Sequence, residues 1–423
     1  MALRDVLIDV GPLRRSPSFR VLYAATATSA LGSRLTDIAL PVQIYALTRS
    51  PLATGLLGLV LLGPHVVLGI IGGALADRHD KRTMMLVAEI GGGVTSVALL
   101  LNASAAHPRV GIVYALAFVA SSFGAMASPA SRSALPFVVD EADRISALAL
   151  NSVLYSMAWL IGPAIFGVLA QLGSAPRQAY LLDAVSFAIG VVMLTRLRSI
   201  PPVESDDNSS GAGGLLRGAF AGLRLVRRNT VVLGSFLLDF DAMVFGFPTA
   251  LLPAVVTERF HGRPLAYTVL YGAPFAGSLV ASATSGWSRR VRAHGRAVIC
   301  SIVVWGLAIA AFGMTHSLVI SACFLTSAGA ADMVSGVFRQ AMLVDATPPK
   351  LRGRMEGTGM AVWASGPALG DIEAGVVARL TTVNTSIWSG GVVCAVGAVV
   401  IAALMPAVWR HRAAPTPAPA AAA

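Results

Sequence analysis

Apolar residues along this chain fall into runs of about twenty, separated by short polar segments, the length needed for a helix to cross a lipid core. Twelve such segments stand out: residues 19–47, 51–76, 84–105, 110–130, 147–170 and 179–196, then 230–256, 266–288, 297–315, 318–340, 357–379 and 386–409. None shows the strict apolar–polar alternation of barrel strands about ten residues long. Helices are the open-ended way to satisfy backbone polar groups in lipid. The pattern therefore predicts an all-α integral membrane protein of twelve transmembrane helices.

Composition agrees. Of 423 residues, 55% are hydrophobic and only 13% charged; soluble domains carry about a quarter charged residues. The mean hydropathy is +0.72. The three cysteines, Cys300, Cys323 and Cys394, sit inside apolar runs and read as small core residues, neither bridges nor metal ligands. The net charge of +11 suggests nucleic acid until its distribution is considered. With the N-terminus inside, 25 Lys and Arg lie in or beside the inner segments and six in the outer loops, with Arg34 inside the first span. The positive-inside rule then places both termini in the cytoplasm, with the basic charge facing the anionic inner leaflet. This reading leaves no role for nucleic acid.

One long polar stretch, residues 199–228, divides the spans six and six. It opens on the flexible sequence PPVESDDNSSGAGG and continues as a segment, 215–228, with Arg217, Arg224, Arg227 and Arg228 among apolar residues, the pattern of an interfacial basic helix. The predicted organisation is a cytoplasmic N-terminus (1–18), a six-helix bundle (19–196), a linker (197–229), a second bundle (230–409) and a low-complexity cytoplasmic tail (410–423). The halves resemble each other. Trp159-Leu-Ile-Gly162-Pro163-Ala164 in the fifth span recurs as Trp363-Ala-Ser-Gly366-Pro367-Ala368 in the eleventh. Six-helix repeats flanking a midplane site are a transporter architecture.

The segment Gly72–Leu86, GGALADRHDKRTMML, resembles the loop signature of the major facilitator superfamily, with Gly73, Leu75, Asp77, Arg78, Lys81 and Arg82 matching and Asp80 standing where the family has Gly. Gly162-Pro163-Ala-Ile-Phe-Gly167 resembles the fifth-span motif associated with antiporters of that superfamily, with Phe166 and Ala158 replacing two of its glycines. Phe19-Arg20, residues 40–44 (LPVQI) and the loop 346–354 (ATPPKLRGR) resemble the enterobactin (siderophore) exporter branch. The resemblance implies two six-helix bundles related by a pseudo-two-fold axis, a cavity lined mainly by spans 1, 4, 7 and 10, and export by antiport, siderophore-like molecules and drugs being candidate substrates. It also implies a gating role for the loop after span two. There Asp77 would cap a helix of the other half, and Arg78, Lys81 and Arg82 would pair with Asp140, Glu141 or Asp143. Gly162-Pro163 and Gly366-Pro367 would act as hinges, or simply pack.

Charges inside spans are costly in lipid and point to function. By depth along each span, Glu89 and Asp183 are expected near the interface, whereas Asp37, Asp239, Asp241, Asp332, Asp371 and Glu373 are deep, all on spans 1, 7, 10 and 11. Arg34 and Asp37, three apart, share a helix face. They form either a neutral structural pair or a proton switch in which Arg34 tunes Asp37. Asp239 and Asp241 lie two apart and face differently, so one of them at most should face a cavity. Asp332 and Asp371 have no base within a turn and are expected to be protonated or hydrated. His65 either joins the network or packs neutrally. Six deep acids against one Arg favour a neutral or cationic amphiphile over an anionic catecholate. No phosphate loop, H-E-x-x-H, G-x-S-x-G or Cys/His cluster occurs, which argues against an ATP-driven pump, an enzyme, a cofactor or a metal. The expected protein is a monomeric, multi-pass, proton-coupled exporter in a bacterial cytoplasmic membrane, handling a small molecule, protons and lipid. The alternative is uptake by the same fold.

The charge bias makes a topological prediction. A cysteine placed at Ser205 should resist a membrane-impermeant thiol reagent added to intact cells and react once the membrane is opened; labelling in intact cells would reverse the orientation.

Overall fold

The computed structural model describes residues 9–202, 226, 229–246, 249–347 and 352–412. Those residues are helical, without strands. The long helices, here α1 to α12, are Pro17–Thr48, Pro51–Arg78, Lys81–Ser104, Val110–Val138, Arg144–Gln171, Ala175–Thr195, Thr230–Phe245, Pro264–Ala283, His294–Met314, Leu318–Ala346, Arg352–Leu380 and Val383–Leu404. Local chemistry sets several boundaries. Ser16, Ser50, Asp80, Asn229, Ser317 and Thr382 each accept a backbone N–H of the first turn, satisfying donors the helix leaves orphaned. Pro17 and Pro51 follow their caps at positions where a missing N–H costs nothing.

Ten helical segments among the described residues, counting Thr230–Glu258 as one, are long and apolar enough to cross a membrane. This is a multi-pass membrane protein. Helices α1 and α11 are not among the ten. They carry Arg34, Asp37, Asp371 and Glu373, and the packing below explains why they can be polar. Large apolar side chains such as Val94, Leu101, Val319 and Leu404 stand exposed on outer faces, as lipid contact requires. Cys300 and Cys323 are exposed as well, and only Cys394 is buried, so two of the three cysteines are not core residues: they sit on helix faces turned away from neighbours.

Two departures from the expected spans matter. The seventh span is not one helix: α7 ends at Phe245, and the chain resumes as a 3-10 turn, Thr249–Leu251, and a short helix, Leu252–Glu258. Helix α10 runs on to Ala346, so Arg339, at the very end of the expected span and counted with the cytoplasmic basic residues, lies well within the helix. The proposed interfacial helix at 215–228 falls outside the described residues except for Val226.

Among the first six helices the packed pairs are α1·α6, α3·α6, α2·α4, α3·α4 and α1·α5; among the last six they are α7·α12, α9·α12, α8·α10, α9·α10 and α7·α11. The same five pairings recur in the same order. Across the linker, the principal pairs are α2·α11 and α5·α8. Burial shows where these seams close. Near the helix ends opposite the linker, Tyr45 joins a core of Leu251, Phe260 and Ile309, and Tyr267 and Tyr271 pack on a core of Leu35, Ile44 and Phe166. Near the linker, one core is built from the first half alone, around Phe19, Met85 and Leu150, and another from the second half alone, around Ile302, Phe338 and Val408.

At the α5·α8 seam, Gly167 lies against Thr268 and the Pro264 carbonyl so closely that any side chain would displace them. Gly167→Leu should therefore part the seam. A cysteine at Thr54, in a background free of native cysteines, should then react several-fold faster with an impermeant reagent applied to the face opposite the linker. An unchanged rate would show that this seam does not close that end.

Candidate functional site

A cavity of about 600 Å³ lies where the two sets of six helices meet. Helices α1, α2, α5, α7, α8, α10 and α11 all contribute to its wall, as do Trp305 of α9 and the turn after α7. Five of the seven acid and base candidates read from the sequence line it: Arg34, Asp37, Asp239, Asp332 and Asp371. His65 lines it too, exposed, with Nδ1 2.8 Å from the Ser121 hydroxyl, so it is not a packed core histidine. Trp159, Tyr271, Phe275 and Trp305 supply aromatic surface. Asp241 and Glu373 are not in the lining.

Each acid has a different environment. Asp37 is half exposed to the cavity and takes a 2.9 Å ion pair from Arg34 on its own helix. The Arg34 guanidinium also lies over the Trp159 ring, 4.1 Å from its centroid, a cation–π contact. Asp239 is buried and receives Arg339 of α10 at 2.6 Å. Asp332 lies within electrostatic reach of the same guanidinium and of Asp239. The expectation of a single deep Arg is thereby corrected: once α10 is seen to continue past residue 340, Arg339 reaches back along it into the bundle. Asp371 is not merely protonated or hydrated. It accepts the Ala250 N–H at 3.0 Å and the Thr249 hydroxyl, filling the cap of the segment that restarts after the break in the seventh span. Discontinuous helices at the midplane are a transporter feature because their free backbone groups become binding groups.

The i, i+2 argument for Asp239 and Asp241 resolves in favour of Asp239. Asp241 points the other way, against Gly397 and Cys394 of α12. Asp183 and Glu89 are corrections. Asp183 is not interfacial: it is 2% exposed and accepts Thr36 and Ser96 hydroxyls at 2.6 and 2.7 Å, joining α1, α3 and α6. Glu89 accepts the Ser29 hydroxyl at 2.6 Å. Depth along the span suggested snorkelling, but hydroxyls on neighbouring helices were already placed to receive both acids.

The Gly-Pro motifs sit against the site. A Cβ on Gly162 would stand 3.0 Å from the Arg34 Cβ, so this glycine lets α5 press against the Arg34–Asp37 turn of α1. Pro163 faces α8 across the seam, its carbonyl accepting the Thr268 hydroxyl at 3.2 Å, and Trp159 stacks on Phe275 with centroids 4.5 Å apart. In the second half, Gly366 packs on Met243 of α7 and Pro367 lines the cavity.

The loop after α2 behaves differently from expectation. At Gly73 and Asp77 only the helical backbone is described. Arg78 is exposed. Lys81 and Arg82 do not reach the 4–5 loop. Lys81 lies over Phe137 and reaches the Pro201 carbonyl, while Arg82 donates to the carbonyls of Leu194 and Thr195 at the end of α6. Asp143 is instead held by Arg15. Asp80, in the position of the family's Gly, caps α3 through Thr83 and accepts Ser199 and the Ile200 N–H. Partial burial works against the charge, but these hydrogen bonds outweigh it and hold the carboxyl below the ordinary carboxylate range.

The sequence pattern described as "Transmembrane secretion effector" matches residues 9–418. The chain belongs to this family of major facilitator transporters. Among its relatives, the enterobactin exporters EntS of Shigella boydii serotype 18 and Escherichia coli O9:H4 strain HS are each 26% identical to this chain over 401 residues, covering 94% of both chains. In fold, it matches the nucleoside transporter NupG with a TM-score of 0.75 at 16% identity, over 93% of this chain and 100% of that one. A bacterial homolog of the human lysosomal transporter Spinster, in an inward-facing and unoccupied conformation, gives 0.70 at 16% identity, over 95% and 99%. The chain is thus a secondary transporter and not an enzyme.

Arg339 was missed because its partner lies a hundred residues away on another helix. Its removal supplies a test. Arg339→Leu withdraws the guanidinium from a buried carboxylate and should lower stability in detergent by about 3 kcal/mol or more. Replacing Asp239 by Leu as well should recover most of that loss in a thermal-unfolding assay. A double variant no more stable than the single one would show that charge compensation is not what the pair supplies.

Proposed function

We propose that this chain is a proton-coupled exporter of a small amphiphilic molecule, working by alternating access between two six-helix bundles related by a pseudo-two-fold axis. The twelve long helices each cross the cytoplasmic membrane of a bacterium, with both termini and the linker inside, and the chain acts as a monomer. The observation that carries the reading is the cavity: a carboxylate-lined space between the two sets of helices. The recurring helix pairings support the two-fold relation, because the cross-linker pairs α2·α11 and α5·α8 exchange under it. The mixed cores opposite the linker and the separate cores beside it support a cavity presented to the cytoplasm, as does the likeness to an inward-facing Spinster homolog. Export is supported by the relation to EntS and by the Gly-Pro motif against Arg34.

The lining argues the substrate class. Two of its acids are neutralised by arginines, a third caps a broken helix, and aromatic rings supply flat apolar surface. A neutral or cationic amphiphile with an aromatic part fits better than a polyanionic catecholate, so siderophore export by EntS does not transfer unchanged; drug-like natural products are the broader class. The loop around Gly73, Asp77 and Arg78 forms the inner gate, closing against the second half when the cavity turns outward.

Coupling is assigned to Asp37. It faces the cavity, and Arg34 one turn away stabilises it when ionised. A proton arriving from outside neutralises Asp37 and leaves the Arg34 guanidinium over Trp159 uncompensated, which repels a cationic substrate and discharges it outward; the proton's departure inside restores the pair and readies the cavity for the next substrate. Asp37→Asn should keep binding and downhill exchange in proteoliposomes while losing accumulation driven by an imposed pH gradient. Full pH-driven accumulation by that variant would make the Arg34–Asp37 pair structural and move the coupling to Asp239 or Asp332.

A further inference from the structure

Outside the cavity, at the linker-side ends of the last helices, three side chains distant in sequence come together. His294 is the first residue of α9, Asp345 sits one residue before the end of α10, and His411 follows the short helix Pro406–Trp409 beyond α12. One donor atom from each lies within 4.8 Å of the others. We propose that His294, Asp345 and His411 form a binding site for a divalent transition-metal ion of the zinc class, which fastens the C-terminal segment to the ends of α9 and α10.

Several observations converge on this assignment. The Nδ1 of His294 and the Nε2 of His411 are buried and have no hydrogen-bond partner among the described residues, an arrangement that costs free energy unless something fills it. The carboxylate does not fill it, since His294 Nδ1 is 3.9 Å from Asp345 Oδ2, beyond hydrogen-bond length. The spacing suits a larger guest: ligand atoms about 2.0–2.2 Å from a zinc ion sit a little over 3 Å apart, so small side-chain rotations close the cluster around one ion. The donor set is borderline in softness, two imidazoles and one carboxylate, which suits zinc, nickel or cobalt and disfavours calcium and magnesium. Asp345 is the most open of the three to solvent, leaving entry and a fourth position for water.

The backbone holds the cluster in shape. The Gly295 N–H donates to the His411 carbonyl at 3.3 Å and the His411 N–H to that of Val408, and Gly295 lies so close to the Val408 carbonyl that no side chain fits there. The His294 ring packs beside Phe338, centroids 5.3 Å apart. The histidines are thus pre-positioned by the fold while their inward nitrogens stay unused. The site joins the start of α9, the end of α10 and the chain beyond α12 on one face of the second half, so occupancy would stiffen the face from which the loop to α11 departs.

The test needs no transport assay and so stands or falls apart from the exporter reading. Full-length protein, stripped with a chelator in detergent, is titrated with zinc chloride by calorimetry, and cobalt is used as a visible probe of four-coordinate geometry. One ion per chain is expected, with affinity falling about tenfold or more in His294→Ala, His411→Ala and Asp345→Asn, and a zinc-dependent rise in melting temperature that each variant loses. Asp345→Asn keeps size and shape, so its melting temperature without metal should match wild type and separates lost binding from lost folding. Absence of one-to-one binding to the wild-type chain, or binding unchanged in the His294→Ala/His411→Ala double variant, overturns the site.

Discussion

The constraint on which this structure depends is that a polar group within the hydrocarbon must find its partner inside the protein. An ionised side chain at the middle of a helix costs about 2.5–3.5 kcal/mol on insertion scales even where water defects relieve it. The chain carries several such groups and answers them one at a time. Asp183 takes hydroxyls from α1 and α3, Glu89 takes one from α1, Asp239 takes Arg339, and Asp371 takes the backbone donors left free by the interrupted seventh span. These contacts choose the helix neighbours as much as apolar packing does, because apolar surface gains little by leaving lipid for protein. They also explain how α1 and α11, too polar to pass as spans on hydropathy, sit within the bundle: Arg34, Asp37 and Asp371 turn into the cavity.

What the sequence disclosed and what it hid follow from the same physics. Helix existence was plain, since runs of apolar residues are a local property, and caps such as Ser50-Pro51 mark starts directly. The clustering of deep acids on four spans was also visible, and Arg34, Asp37, Asp239, Asp332 and Asp371 do meet in one cavity. Depth counted from a span's first residue misplaced Asp183, because it measures distance to water along one helix and ignores hydroxyls on the next. The break after Phe245 was concealed by unbroken hydropathy, although Gly246 and Pro248 are adjacent to it. Arg339, one residue from the end of the expected tenth span, was counted with the cytoplasmic charge, and only its partner on α7 shows otherwise. The cluster of His294, Asp345 and His411 has no short spacing to betray it, and three helix termini must be placed before it exists.

The location of these partners bears on how such a molecule can move. Among the described residues, the polar contacts that neutralise buried acids stay within one set of six helices. Arg34–Asp37 is internal to α1, Asp183 and Glu89 are served by α1 and α3, and Asp239 and Asp371 are served from α10 and the turn after α7. Contacts between the sets are of another kind: glycine against backbone at α2·α11 and Gly167, Trp159 on Phe275, the Thr268 hydroxyl on the Pro163 carbonyl. Tyr45 does donate to Glu258 across the seam, but near the helix ends, where water can replace it. The proposed rocking of one set against the other would therefore separate surfaces that are cheap to part and leave these costly pairs intact. Under the proposed mechanism, all that would change for Asp37 is which aqueous face its cavity meets, the condition a carboxylate must satisfy to exchange protons with one side at a time.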